Sequence, residues 1–142
     1  MQGDDLGDRM KSYEGVEAAR RLMQGLPICI RLDGKCFSSF TRGLARPYDQ
    51  RLTRLMCETT RYLMTESAAL AGYTQSDEIS LLLHTEEPKS QVFLDRRVQK
   101  LTSILAAMTT AYFNKRLAEF LPDKADKMPV FDCRVWSVPS KE

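Results

Sequence analysis

The sequence predicts an α+β fold: one four-stranded antiparallel sheet with two long helices on one of its faces. Three observations predict it. The segments "PICIRLDG", "DEISLLLH" and "VFDCRVWSV" alternate or run apolar in the way of strands. Two longer segments carry apolar residues at the 3–4 spacing of a helix. Gly, Pro and short polar stretches separate the elements in the order β-α-β-β-α-β, the split βαβ or ferredoxin-like pattern.

Each element has its own justification. Residues 7–23, "GDRMKSYEGVEAARRLM", predict a short lead helix with Met10, Tyr13, Val16 and either Ala19 or Leu22 on one side. Gly25 and Pro27 stop it, so residues 1–26 form a lead. Ile28, Ile30 and Leu32 alternate with Cys29 and Arg31 in a first strand that ends at Asp33-Gly34. The segment "KCFSSFTRGLARPYD" reads as a loop. Asp49 caps a helix running to about Ala69, with a stripe of Leu52, Leu55, Met56, Thr59 and Leu63, and Gly72 ends it. The stretch "YTQS" and then "DEISLLLH" make a hairpin bent at Asp77. A second helix spans about Asp95 to Phe120, with Val98, Leu101, Leu105, Met108 and Tyr112 on one face, and Pro122 closes it. Residues 130–138 make the last strand.

Bulk composition excludes several classes. A chain of 142 residues with 43% hydrophobic and 28% charged residues matches one soluble domain able to bury a core. A net charge of +2 is too small to argue for nucleic acid by itself. Cys29, Cys36, Cys57 and Cys133 form no CxxC pair and His84 is the only histidine, so nothing points to zinc. Scattered cysteines and an acidic, polar start suggest an intracellular, cytoplasmic protein without a signal peptide. No apolar run approaches a membrane span.

The expected topology puts the first and third strands side by side in the sheet centre. Asp33 at the end of one strand then meets Asp77 and Glu78 at the start of the other. Like charges so close repel unless a cation lies among them. Hard oxygen donors suit Mg²⁺, and two such ions would serve an in-line phosphoryl or nucleotidyl transfer. Gly34 lets the backbone approach a ligand, and Gly34, Lys35, Cys36, Phe37 and Ser38 offer N–H groups to a triphosphate. Arg42, Arg46 and Arg51 add positive charge. Arg97 and Lys100 stand near the start of the second helix, where the dipole favours anions. Taken singly, each feature has a plainer reading. "DG" is ordinarily a turn, "SDE" a hairpin tip, and Arg96, Arg97 and Lys100 a solvated face. His84 reads as a surface residue and the cysteines as core fillers.

The ordered set "IRLDGKCFSSFTRGLARPYD" and "GYTQSDEISLLL", with "KSYE", "RRVQKL" and "FDCRVW", resembles the tRNA-histidine guanylyltransferase family and its bacterial and archaeal relatives over nearly the whole chain. The resemblance implies a polymerase-type palm over residues 27–142 that adds nucleotides in the 3′-to-5′ direction. The 5′-monophosphate of a tRNA is activated, commonly with ATP, and the 3′-hydroxyl of GTP attacks it. The outcome is guanylate addition to histidine tRNA or repair of a truncated 5′ end. The implied metal ligands are Asp33, the Gly34 carbonyl and Asp77, holding two Mg²⁺, with Glu78 in electrostatic support. The implied triphosphate site runs from Asp33 to Ser38, faced by Ser76 and Asp77. Arg31, Arg46 and Asp49 match further polar positions, and Arg97 and Lys100 a basic face for a second triphosphate or the tRNA 5′ end. Homo-oligomers are implied as well. Ser38 stands where many members have histidine. The family continues after "FDCRVW" with a helical region, whereas this chain ends at "SVPSKE". A nucleotide-binding palm without turnover and a palm with cyclising chemistry are the alternative expectations.

Overall fold

The computed structural model describes residues 5–142; the first four residues of the expected lead lie outside them. Four strands form one antiparallel sheet: β1 (Ile28–Gly34), β2 (Ala71–Gln75), β3 (Glu78–Leu83) and β4 (Phe131–Ser137). Their order across the sheet is β2-β3-β1-β4, so β1 and β3 hold the centre. The helices are α1 (Asp5–Ala18), α2 (Phe37–Phe40), α3 (Gln50–Ser67) and α4 (Val98–Phe120).

Alternation decides which side of the sheet is covered. Ile28, Ile30 and Leu32 of β1 and Ile79, Leu81 and Leu83 of β3 are buried beneath α3 and α4. The helices answer with Leu55, Met56 and Leu63 from α3 and Leu101, Leu105, Phe113 and Leu117 from α4. Four aromatic rings close one end of this core: Phe37 lies 4.8, 5.8 and 5.2 Å from Phe40, Phe113 and Phe131, centroid to centroid. Among the described residues, no helix covers the other face of the sheet.

β1 occupies its expected residues, and Asp49 caps α3 by accepting from the Arg51 N–H at 2.9 Å. Four expectations are corrected. Met10, Tyr13 and Val16 are all exposed and α1 buries no residue, so the lead helix ends at Ala18 without an apolar seat. The segment read as a loop contains α2. α3 ends through Ala68 in the left-handed conformation, not at Gly72, which lies inside β2. α4 starts at Val98 after a 3₁₀ turn at Phe93–Arg96, and its fully buried stripe repeats every four residues through Thr109 and Phe113, leaving Met108 and Tyr112 at the margin.

Two glycines permit close packing. A Cβ on Gly34 would run into the ring carbons of buried Phe37, whereas one on Gly72 would meet Met64 at its Sδ (2.5 Å) and Cγ (2.9 Å). A locked ring cannot yield, but a thioether can. Gly34→Ala should therefore cost about 1–3 kcal/mol of stability and Gly72→Ala less, measured by denaturant unfolding. Equal costs would contradict this packing account.

Candidate active site

The candidate site is the sheet end where β1 finishes and β3 begins. Because Ile30 and Leu32 point into the core, Arg31 and Asp33 point to the helix-free face. Register then aligns Asp33 with Glu78 on one side and with Asp132 on the other. Ser76 and Asp77 form the tight turn between β2 and β3, with Ser76 in the left-handed region at φ 57°. The Gly34 N–H donates to the Asp77 carbonyl at 3.0 Å, which clasps the hairpin tip against the end of β1. Asp33, Asp77 and Glu78 therefore come together although more than forty residues separate the first from the others.

Charge in this row is poorly balanced. Partial burial, then the carboxylates of Asp77, Asp132 and Glu78, push the Asp33 pKa above the ordinary carboxylate value, with Arg134 pulling the other way. Asp132 is a fourth acid that reading by sequence missed. The alternation of "FDCRVW" puts it opposite Phe131 and Cys133, but only the β1–β4 register reveals that it faces Asp33. Cys133 points toward the core, and burial followed by the Asp132 charge pushes its thiol up to about 12. It acts as a core filler.

Among the described residues, no group of three or more His, Cys, Asp or Glu side chains is arranged to hold a metal ion. The donor chemistry nevertheless fits Mg²⁺, which takes few carboxylates, a main-chain carbonyl and waters. Asp33 and Asp77 supply carboxylates and Gly34 a carbonyl. A cation bound there would relieve the raised proton affinity of Asp33.

The expected N–H cradle is narrower than residues 34–38. Gly34 is committed to Asp77, and the Lys35 N–H donates to the Val130 carbonyl at 2.9 Å. Cys36 is left-handed (φ 57°, ψ 33°) and opens α2, so the N–H groups of Cys36, Phe37 and Ser38 have no carbonyl one turn behind them within α2. The Phe37 side chain is buried in the aromatic cluster, while Lys35 and Ser38 are exposed.

Further candidates are placed unevenly. Arg46, Asp49, Gln75 and Ser76 border one cavity of about 320 Å³. Within it Asp49 is already engaged. Its oxygens accept from Arg51 Nε (3.2 Å), Arg51 Nη2 (3.0 Å) and the Ala45 N–H (3.3 Å), and Arg51 holds its pKa far below the usual range. Asp49 is thus a helix cap. Arg31 lies two residues up the strand from Asp33. Arg97 and Lys100 are not gathered here. They border a cavity with Ser67 and Ala68 at the end of α3, and the Arg97 main chain forms an isolated antiparallel bridge with that of Arg21. The chain leaves that end of α3 for β2, where the Leu70 N–H bonds the Leu82 carbonyl near the end of β3, far from Asp33. α4 meets the start of β4 through its second half, where Thr110 Oγ1 accepts from the Phe131 N–H (3.1 Å) and Asn114 Nδ2 donates to the Pro129 carbonyl (2.8 Å).

Such a sheet, acid-edged and helix-backed, defines a polymerase-type palm. The model of the Thg1 family, tRNAHis guanylyltransferase, matches residues 7–139, and the chain belongs to that family. It is 31% identical over 134 residues to the tRNA(His) guanylyltransferase of Schizosaccharomyces pombe, covering 92% of this chain and 49% of that protein. It is 29% identical over 125 residues to the Saccharomyces cerevisiae enzyme, covering 81% and 51%. A bacterial tRNA(His) guanylyltransferase (Thg1)-like protein solved in complex with GTP superposes with a TM-score of 0.88 at 38% identity, over 96% of this chain and 64% of that one. The corresponding structure in complex with ATP gives 0.88 at 37%, over 95% and 58%. The chain spans about half the length of the curated relatives it matches.

Repulsion at Asp33 has a measurable sign. A native carboxylate pKa raised above the unfolded value means that the folded state holds its proton longer. Stability is then lost as pH rises from the unfolded value near 3.8 through the raised native one. Asp33→Asn should raise the thermal midpoint at pH 7 in chelator, and the gain should vanish below about pH 4. Calorimetric scans across pH test this; a gain equal at all pH values would assign the effect to packing instead.

Proposed function

We propose that the chain is the palm of an enzyme extending RNA at its 5′ end with GTP and ATP as nucleotide substrates and Mg²⁺ as the metal. Its acceptor is tRNA, with guanylate added to histidine tRNA or a shortened 5′ end repaired. The observation that carries this reading is the bond from the Gly34 N–H to the Asp77 carbonyl, which sets Asp77 beside Asp33 at the open end of the sheet. The names of the relatives and the GTP and ATP complexes of the bacterial one support the same reading.

In this reading residues 27–142 are the catalytic unit, and Asp33, Asp77 and the Gly34 carbonyl hold the metal. Two ions there would polarise phosphate oxygens and make the attacking hydroxyl more acidic. Glu78, level with Asp33 on the neighbouring strand, sets the local field without ligating. The N–H groups of Cys36, Phe37 and Ser38 receive triphosphate oxygens, and Lys35 and Ser76 bound the path on either side. Ser38 donates from its hydroxyl but titrates at no ordinary pH, so it takes no proton in the activation step. Arg46 flanks the nucleotide from the cavity that it shares with Ser76. Arg31 reaches phosphate from the open face. Asp49 acts through α3 alone, and Arg97 and Lys100 serve an RNA contact remote from the acids. The enzyme works as a homo-oligomer in the cytoplasm, where its four free thiols stay reduced. No helix among the described residues is long and apolar enough to cross a membrane.

Incorporation of labelled GTP into 5′-monophosphorylated tRNA, with ATP and Mg²⁺, tests the assignment. Asp77→Ala should lower the rate by roughly a thousandfold or more, the several kcal/mol that a metal ligand supplies. Glu78→Gln should cost far less. Undiminished turnover in Asp77→Ala would overturn the chemistry. Mg²⁺-dependent GTP binding without incorporation on any RNA would make the chain a nucleotide-binding module.

A further inference from the structure

The helix-free face of the sheet is banded. Register lines up Gln75, Glu78, Asp33 and Asp132 in one row across the four strands. Two residues along, the row is Tyr73, Ser80, Arg31 and Arg134; two further, it is Ala71, Leu82, Cys29 and Trp136. Acid thus gives way to cation and then to an apolar row. That apolar row floors an open groove of about 560 Å³, bounded by Tyr73 and by the chain after β4. Trp136 and Tyr73 are 39% and 63% exposed, large aromatic area left in water on a face with no helix to cover it. Arg31 stands between the bands. Its guanidinium carbon lies 5.9 Å from the Trp136 ring centroid, and its enclosed Nε has no hydrogen-bond partner among the described residues.

Arg134, the other cation of that row, pairs with Asp132 at 3.9 Å, so Arg31 is the guanidinium left without an acid. An aromatic ring beside such a guanidinium is the chemistry of single-stranded nucleic acid, where each base stacks and each phosphate needs a cation. A protein partner would gain from the apolar row but would have to cover Arg31 with a matching acid, next to a row that is already acidic. A strand of RNA meets both bands, because the groove and the acidic row lie on one face of the sheet, four strand residues apart. We propose that Trp136 is a stacking platform for an unpaired base of the RNA whose end is presented to Asp33 and Asp77, and that the groove over Leu82 and Cys29 receives that base. The inference rests on the RNA-extending reading and adds a positioning residue to it. Trp136 touches neither the triphosphate nor the metal. It holds the RNA strand while the acids work.

Trp136 is the chain's only tryptophan, so its fluorescence reports this spot alone. A short 5′-monophosphorylated single-stranded RNA should quench it saturably, while GTP with Mg²⁺ should bind without quenching. Trp136→Ala should weaken the affinity for that RNA roughly 5- to 150-fold, the value of one stacked base. It should raise the KM for RNA far more than that for GTP. Trp136→Phe should recover most of the affinity, which separates stacking from a folding defect. Quenching by GTP alone would make the groove a mononucleotide site and overturn the proposal, as would unchanged RNA affinity in folded Trp136→Ala. Wild-type incorporation without quenching would reject this inference and spare the enzymatic reading. Quenching by RNA in a protein that incorporates nothing would do the reverse.

Discussion

The site depends on the pairing of β1 with β3 and on the bond that ends it, Gly34 N–H to Asp77 carbonyl. Side chains in a strand alternate faces, so a slip of one residue would send Asp33 into the core and Leu32 into water. What forbids the slip is the apolar set itself: Ile28, Ile30, Leu32, Ile79, Leu81 and Leu83 must all face α3 and α4. The register that buries these six also aligns Asp33 with Glu78 and Asp132. Gly34 has to lack a side chain for the arrangement to close, since the Phe37 ring packs where a Cβ would be. That ring, wedged among Phe40, Phe113 and Phe131, in turn fixes α2 and the three N–H groups at its start. One main-chain geometry therefore serves both the carboxylates and the N–H groups at the start of α2.

Such a site is held against its own electrostatics. Partial burial and then the crowding carboxylates raise the proton affinity of Asp33, and Arg134 relieves only part of this. Elsewhere the protein pairs its charges, as Asp49 does with Arg51 and Glu119 with Arg116. The contrast is informative. A carboxylate paired with arginine has its pKa lowered and is spent on structure, whereas an acid left among acids is available to a cation. This distinction removes Asp49 from the set of ligand-facing candidates and keeps Asp33 in it.

Much of this was legible in the sequence. Alternation located β1 to the residue, the cap at Asp49 located α3, and the bend at Asp77 located the hairpin. These signals are local, and local geometry obeyed them. What stayed hidden was relational. The spacing of Met10, Tyr13 and Val16 describes a stripe but not a surface to receive it, and none exists among the described residues. Gly72 carries the same letter whether it ends a helix or admits one against a strand. Four residues of α2 are too short for any period to show. Asp132 belongs to the acidic row only through strand register. Arg97 and Lys100 begin the long helix at the sheet end remote from Asp33, a fact of chain direction rather than of residue type. Direction could have been worked out from the predicted order, because β3 leads away from the acids before α4 starts.

Net charge is the quantity least informative about this surface. The chain as a whole is nearly neutral, yet its open face segregates four carboxylates from two guanidinium groups. Successive rows lie two residues apart along the strands, about 7 Å, which is inside the screening length at physiological salt. Neighbouring rows therefore feel one another. With the acids bare, the local field at the sheet end is negative and repels a polyphosphate before Arg31 or the α2 N–H groups can reach it. In the proposed function, two divalent charges on Asp33 and Asp77 would make the same end an attractor beside the cationic row. Cation binding should thus precede the binding of triphosphate or RNA at this end. The aromatic row, uncharged and furthest from the acids, escapes that order: a base can stack on Trp136 whether or not the acidic row has been neutralised.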